Sequence, residues 1–179
     1  MDWNVVVTVT AGSGHEHRVL DALRVFGDFR ATSFRDVCIG RVADVGALLE
    51  AIRTAREAGK PWAAFVARVI PAEQVLSFTP DTLAEQLKEA ATPFVARLSD
   101  GSFFVRLERR GLQGKLPSPD IERAVGEHVH ALAERAGLRM RTDFTDPDFV
   151  IAAETVGTQC GVALIPRAMR ERYPFVQVR

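Results

Sequence analysis

Three arginines lie close together at the point where an apolar run of the sequence becomes polar. The stretch SFFVRLERRG, residues 102–111, contains Arg106, Arg109 and Arg110 just before a glycine, and Lys115 follows in a glycine-containing loop. Guanidinium groups bind phosphate through paired hydrogen bonds, and phosphate contacts supply much of the affinity of proteins for nucleic acids. These residues therefore form a candidate contact site for a phosphate backbone.

A strand would not present these arginines as one group. Because side chains alternate along a strand, Arg106, Glu108 and Arg110 share one face, whereas Arg109 lies on the other. The alternation predicts ion pairs between Glu108 and the two arginines that flank it, each worth at most about 1 kcal/mol on a surface. The residues alone leave two alternatives open, a nucleic-acid contact and a solvated sheet face.

Glycines and histidines elsewhere offer weaker chemistry. Gly12 and Gly14, between a predicted strand and helix, could cradle a phosphate, but the segment lacks a nucleotide-binding motif. A tight turn in which Ser13 helps to cap the following helix is favoured. Histidines at positions 15 and 17, and at 128 and 130, are spaced two apart and make poor metal pairs on a helix. We expect His128, which falls on an apolar stripe, to be a hydrogen-bonded core residue.

The aspartates of TDFTDPDF also favour a structural role. Asp143, Asp146 and Asp148 are expected to form a turn and a strand entry, because a proline and a phenylalanine interrupt the spacing of an oxygen-ligand loop. No nucleophile motif or cofactor-binding motif accompanies them. We therefore predict that the protein is not an enzyme and has no catalytic residue, metal or cofactor.

The composition is that of an ordinary globular protein, with 179 residues of which 47% are hydrophobic. Lysine plus arginine equals aspartate plus glutamate, at 23 each, so any polyanion site must be a local patch. The sequence has no apolar run of membrane-spanning length and no signal-peptide pattern, which predicts a cytoplasmic protein without membrane contact. Cys38 and Cys160 lie far apart and are interpreted as small core residues.

Hydrophobic patterning predicts strands and helices in the order β-α-β, then α-β, over residues 1–72. The segment 29–42 is interpreted as a second strand with a bend or bulge at Arg35 and Asp36, with a missed or doubled strand in 29–42 as the alternative, and 62–71 is interpreted as a further strand. Between them, the spacing predicts an amphipathic helix with Asp44 as its N-cap. This order favours a small ferredoxin-like domain.

The pattern restarts after Pro71, which we take as the domain boundary. A helix is predicted to open near residues 79–81. FVARL and SFFVRL, joined by Ser-Asp-Gly, are interpreted as a β-hairpin. A helix capped by Ser118 follows and ends at Gly137, and two strands close the chain. The predicted fold class is α+β.

Three segments in this order carry a resemblance to a known family. SFFVRLERRG, then SPDIERAVGEHV, then DPDFVIAAE resembles the THUMP domain, an RNA-binding module of tRNA-modification proteins. The resemblance covers residues 73–179 and implies a THUMP-like α/β domain after a ferredoxin-like domain at 1–72. The arrangement is most similar to stand-alone THUMP proteins that assist tRNA acetylation by presenting tRNA to a separate acetyltransferase.

The resemblance implies binding of the tRNA acceptor stem and 3′ end. RNA contact carries over to Arg106, Arg109, Arg110 and Lys115, which fall in the matching strand and loop. Arg97, Arg139 and Arg141 are added on electrostatic grounds, as further basic residues of the same half of the chain. We expect the RNA to approach the strand end, because the acidic residues 120 and 122 in the first turn of the next helix repel phosphate.

Two alternatives from other functional classes remain. One is a small-molecule-responsive regulatory domain that binds a ligand between the two modules, using the Gly12 to Gly14 loop. The other is an enzyme with a concealed acid-base pair formed by His128 and a carboxylate.

Overall fold

Residue contacts divide the chain into two units. The computed structural model describes residues 2–179. The first unit comprises the chain up to Val75 together with Met169–Gln177, and the second comprises Leu76–Ala168 with Val178–Arg179. The domain boundary predicted between residues 72 and 73 stays a prediction, since units defined by contacts need not end where domains do.

The first unit is built on a four-stranded sheet. Its elements, in chain order, are β1 (Val5–Val9), α1 (His15–Leu23), β2 (Gly27–Ala31), β3 (Val37–Val42), α2 (Val45–Glu57), α3 (Pro61–Ala64) and β4 (Val66–Pro71). The strand order is β2-β3-β1-β4, and all neighbours run antiparallel. A β-α-β-β-α-β chain with this order is ferredoxin-like, which confirms the predicted class of this part of the protein.

Sequence patterns account for the helices of this unit. Val19, Leu20 and Leu23 of α1 are buried at helical spacing, as are three apolar residues of α2. The Asp44 carboxylate accepts a hydrogen bond of 3.0 Å from the Ala47 backbone N–H, so the predicted N-cap is confirmed.

Three local predictions in this unit are wrong. The single strand at 29–42 is wrong and the alternative of a doubled strand is confirmed: the chain forms β2 and β3 there and reverses through a turn in which Asp36 has a φ of 59°. The predicted strand at 62–71 begins with the short helix α3, which Pro61 initiates. Gly14, with a φ of 77°, occupies the N-cap of α1, so Ser13 does not cap that helix.

The second unit contains a five-stranded mixed sheet. Its elements, in chain order after the sheet strand β5 (Gln74–Ser77), are α4 (Leu83–Ala91), a 3-10 helix (Thr92–Arg97), β6 (Gly101–Glu108), α5 (Ser118–Arg135), β7 (Met140–Thr142), β8 (Phe149–Val156) and β9 (Gln159–Pro166). The strand β5 and the last helix, α6 (Arg167–Arg172), each contain residues of both units. The strand order is β5-β9-β8-β6-β7. The strand β6 runs parallel to β7 and β8, whereas β8 and β9 are antiparallel.

The core of the second unit lies between the sheet and the helices α4 and α5. Phe103, Val105 and Leu107 of β6 are buried in it, as the period of two predicts. The helix α5 contributes Ile121, Val125, Val129 and Ala133. His128 is not on this face: it is partly exposed, and its Nε2 lies 2.9 Å from the Thr92 hydroxyl. The prediction of a core histidine at 128 is therefore wrong.

The predicted hairpin before β6 is also wrong. Residues 92–97 form a 3-10 helix with a proline at its start, and Phe94 packs into the core. The neighbours of β6 come from much later in the chain, because α5 crosses over and returns the chain parallel to β6. The predicted cap of α5 is wrong as well. Ser118 is the first residue of the helix, and its N-cap is Pro117, which makes no side-chain hydrogen bond.

Both cysteines are buried and unpaired, which confirms their interpretation as core residues. Burial raises the pKa of the Cys38 thiol to about 12, with smaller contributions from Glu16 and Asp36. Burial likewise raises the pKa of Cys160 above its ordinary range. Across residues 2–179, no helix is long and apolar enough to cross a membrane.

Candidate nucleic-acid interface

The chain leaves the sheet at Glu108 and enters a loop tied to the neighbouring strand β8. The Arg110 N–H donates to the Thr155 hydroxyl at 2.7 Å, and that hydroxyl and the Gly157 N–H both donate to the Arg110 carbonyl. Gly111 and Gly114 then adopt φ values of 89° and 74°. These conformations favour glycine, so the glycines seen in the sequence are what let the loop turn here.

Arg110 forms a buried ion pair with a residue far along the chain. Its Nη1 lies 2.5 Å from the Glu154 Oε2, and the two side chains are only 10% and 3% exposed. The predicted surface pair with Glu108 is wrong for Arg110. The strand ends at Glu108, so alternation no longer determines where the Arg110 side chain points. Arg110 holds the loop to β8.

Arg106 also has a partner other than Glu108. Its Nη1 lies 3.7 Å from the Glu122 Oε1 on α5, and its guanidinium carbon lies 5.3 Å from the centre of the Phe104 ring. The same Glu122 oxygen accepts a hydrogen bond of 2.8 Å from the Leu107 backbone N–H. The Glu122 carboxylate, expected from the sequence to repel phosphate, therefore links α5 to the edge of β6.

Arg109 and Lys115 are the cations of this loop that no carboxylate in residues 2–179 neutralises. Among residues 2–179, neither forms an ion pair; the Arg109 Nη1 makes only a long contact of 3.4 Å with the Leu112 carbonyl. Lys115 is exposed, and its backbone N–H closes a turn to the Leu112 carbonyl. These two side chains can contact an anion without giving up an existing ion pair.

The other three predicted residues lie toward the opposite end of β6. Arg141 pairs in register with Ser102 at the start of that strand, and the Arg139 carbonyl accepts a hydrogen bond from Gly101. Arg97 ends the 3-10 helix just before β6, with its guanidinium carbon 5.5 Å from the Phe94 ring centre. An eight-residue strand spans about 23 Å, so the seven predicted residues do not form a single cluster.

The aspartates of TDFTDPDF have structural partners, which confirms their interpretation as a turn and strand entry. The Asp143 carboxylate accepts hydrogen bonds from the backbone N–H groups of Thr145 and Asp146. Asp148, at the entry to β8, accepts hydrogen bonds from both the backbone N–H and the hydroxyl of Ser102. Within residues 2–179, no group of three or more potential ligands is placed to hold a metal ion.

We predict that Asp148 makes the stability of the folded protein depend on pH. The hydrogen bond from Ser102, followed by Arg167, lowers the pKa of Asp148 below its ordinary value. The folded state therefore favours the carboxylate, and its contribution is complete at neutral pH and is lost as pH falls through the lowered pKa. In thermal unfolding, Asp148→Asn should melt below wild type at pH 7, with the gap narrowing below about pH 4. A constant gap would contradict this, and Asp81→Asn on the surface is the control.

A cavity that the sequence analysis missed lies beside the middle of β6. It measures about 310 Å³ and is lined by Phe103, Phe104, Val105, Pro119, Glu122, Arg123, Gly126, Glu127, His130, Thr142 and Phe144. Two signals in the sequence could have indicated it. Gly126 interrupts an otherwise good helix, and the aromatic Phe144 stands between acidic turn residues. In the structure the Phe144 side chain is 70% exposed.

A protein-family model matches most of this unit. The model described as THUMP domain matches residues 79–164, a range that contains β6, its loop, α5, β8 and most of β9. The second unit contains a THUMP domain. All three segments that carried the resemblance fall inside this range, so the resemblance is confirmed. A THUMP domain associates the protein with RNA binding in tRNA modification.

Solved structures share the fold of the THUMP domain and of the ferredoxin-like unit. TrmN from Thermus thermophilus matches with a TM-score of 0.62 and 17% identity, over 89% of this chain and 44% of that chain. PH1313 from Pyrococcus horikoshii Ot3 matches with a TM-score of 0.59 and 14% identity, over 90% of this chain and 54% of that chain. A 4-thiouridine synthetase solved with RNA and ATP matches with a TM-score of 0.55 and 12% identity, over 92% of this chain and 42% of that chain.

These identities establish similarity of fold. The chain spans about half the length, or less, of the proteins it resembles, so their activities do not transfer directly. No curated protein matches the chain in sequence.

Proposed function

We propose that this protein binds tRNA at the acceptor stem and 3′ end and presents it to a separate modifying enzyme, of which an acetyltransferase is the class we favour. In this proposal the protein performs no chemistry of its own. The observation that carries it is the THUMP domain at residues 79–164, because that family links the chain to RNA binding in tRNA modification. The fold similarity to a synthetase solved with RNA supports the same assignment.

The geometry suggests different roles for the seven proposed contact residues. Arg109 and Lys115 contact phosphates directly, since no carboxylate in the described part of the chain pairs with either. Arg110 is held by Glu154 and shapes the loop, and Arg106 contacts Glu122 at the edge of β6. Arg97, Arg139 and Arg141 would contact a second stretch of phosphates near the start of β6.

Removing the 3′ end of tRNA tests this proposal. We expect tRNA that lacks its unpaired 3′ nucleotides to bind at least tenfold more weakly than intact tRNA at low salt, because unpaired bases offer stacking and hydrogen-bonding surfaces that a duplex hides. Filter binding or fluorescence anisotropy would measure the difference, with a DNA duplex of similar length as the control for charge. Equal affinity for both forms of tRNA would contradict recognition of the 3′ end.

A further inference from the structure

We infer that the cavity beside β6 is a pocket for one unpaired nucleobase. This inference rests on the proposed RNA-binding function and gives it a specific site. The pocket lies in the second unit, between β6, the helix α5 and the turn that carries Phe144. Its volume of about 310 Å³ lies at the small end of the range for ligand pockets.

Backbone hydrogen bonds show that the edge of β6 is open at one residue. Every second residue of this strand faces the β7 side: Gly101 donates to the Arg139 carbonyl, and the Phe103 carbonyl accepts from Asp143. The register with β7 ends at Phe103. Four residues further on, the Leu107 N–H is already occupied by the Glu122 carboxylate.

Val105 is the residue between these two closed positions. Its N–H and C=O leave the strand on the same side, toward the pocket, and have no hydrogen-bond partner on that side among residues 2–179. One donor beside one acceptor matches the hydrogen-bonding edge of a nucleobase, on which such groups are adjacent. An added peptide strand would need several open positions in a row, and Glu122 blocks the next one.

The walls of the pocket suit a flat aromatic ligand. The Phe144 ring, which is 70% exposed, lies 5.9 Å from the Phe104 ring, measured between centroids. The His130 ring also lines the pocket, with its Nε2 3.0 Å from the Thr142 hydroxyl. Exposed aromatic rings are the surfaces on which proteins stack unpaired bases.

The charges around the pocket fit a base that remains attached to its phosphates. Arg123 is 70% exposed and makes only a loose contact of 3.8 Å with Asp120, and Arg106 lies against Phe104. Two carboxylates also line the pocket: Glu122 is engaged by Leu107 and Arg106, and Glu127 is exposed. The arginines can bind the flanking phosphates while the base occupies the apolar interior.

Gly126 is the feature that packing within the protein leaves unexplained. It lies in the interior of α5, where glycine is less favourable than alanine. A Cβ added there would meet nothing nearer than a Val105 methyl carbon at 4.0 Å, which is an ordinary contact. The protein therefore has room for a side chain at this position. A ligand that approaches the helix backbone gives a reason for its absence.

The test fills the pocket without disturbing the fold. Gly126→Leu places a side chain in the cavity and should keep or raise the melting temperature, since leucine is a better helix former. The matched control, Ala131→Leu, adds the same side chain to the exposed surface of α5. Phe144→Ala removes the exposed ring. The probes are an RNA hairpin with an unpaired 3′ overhang and the same hairpin with abasic overhang positions.

We expect wild type and Ala131→Leu to bind the overhang at least about fivefold more tightly than the abasic form. Gly126→Leu and Phe144→Ala should lose that preference while still binding the hairpin. The Val105 amide resonance should shift only with the base-containing probe. If Gly126→Leu and Phe144→Ala keep the full preference for the base-containing overhang, the pocket assignment is overturned and the proposed function stands. The same conclusion follows if the wild type binds both hairpins equally well. A wild type that binds neither hairpin would overturn both.

Discussion

Replacing Arg110 with alanine should lower the free energy of unfolding by about 3 to 5 kcal/mol, the usual effect of removing one partner of a buried ion pair. The Glu154 carboxylate, only 3% exposed, would be left in the interior of the second unit without its guanidinium. Most of the loss reflects that uncompensated charge, not the attraction between the two groups. The measurement is urea unfolding of the variant and wild type at the same pH.

Two controls distinguish this explanation from general damage to the loop. Arg109→Ala, at a neighbouring cation without an ion pair, should change stability by no more than about 0.5 kcal/mol. The double variant Arg110→Met with Glu154→Leu should recover much of the loss, since an apolar pair leaves no charge buried. A loss below about 1 kcal/mol for Arg110→Ala would show that water reaches the pair and that the side chain is available to ligands.

This result also affects how the RNA site can be studied. A variant that changes Arg106, Arg109 and Arg110 together would combine a loss of contacts with a loss of stability, so weaker binding could not be attributed to contacts. The sequence placed Arg106 and Arg110 on one face of the strand and Arg109 on the other, and assigned RNA contact to all three. The structure separates one that forms a buried ion pair, one that contacts a helix carboxylate and one that makes only a long contact within its loop.

Patterns that depend on near neighbours in the sequence were predicted well. The apolar spacing of α2 and α5, the Asp44 cap and the alternation in β6 all reflect contacts made within one element and its immediate surroundings. The order of elements then sufficed for the ferredoxin-like unit. The THUMP domain was recognised by the resemblance of three short segments, all of which lie inside the matched range.

Pairings between distant parts of the chain were not predictable in the same way. Two apolar runs joined by Ser-Asp-Gly resemble a hairpin locally, and only the later strands reveal that β6 pairs in parallel. The partner of Arg110 lies 44 residues away, on a strand whose register the sequence does not specify. The pocket depends on where β7 stops, which is a property of the assembled sheet.

The candidate site was therefore predicted in outline and changed in detail. The loop after β6 is cationic, as the sequence indicates, but the free charge at its surface reduces to Arg109 and Lys115. With a formal net charge of zero, the protein has no general attraction for RNA. Binding must depend on a few well-placed contacts, and the loss of two of them should be easy to detect.

Removing both loop cations should weaken tRNA binding by at least about tenfold, because hydrogen bonds to charged groups are worth about 1.5 to 3 kcal/mol each. The variant is Arg109→Ala with Lys115→Ala. Each lost phosphate contact should also reduce the slope of log affinity against log salt by about 1. Titrations at several salt concentrations therefore measure how many contacts the two residues make.

The control must remove the same charge from elsewhere in the same unit. Lys88→Ala with Arg135→Ala takes one lysine and one arginine from the helices α4 and α5 and alters net charge equally. If the loop is the contact site, this control keeps both the affinity and the salt slope near wild type. Equal losses in the two double variants would mean that tRNA responds only to overall charge. A loss confined to Arg109 and Lys115 would mean that phosphates bind where β6 ends.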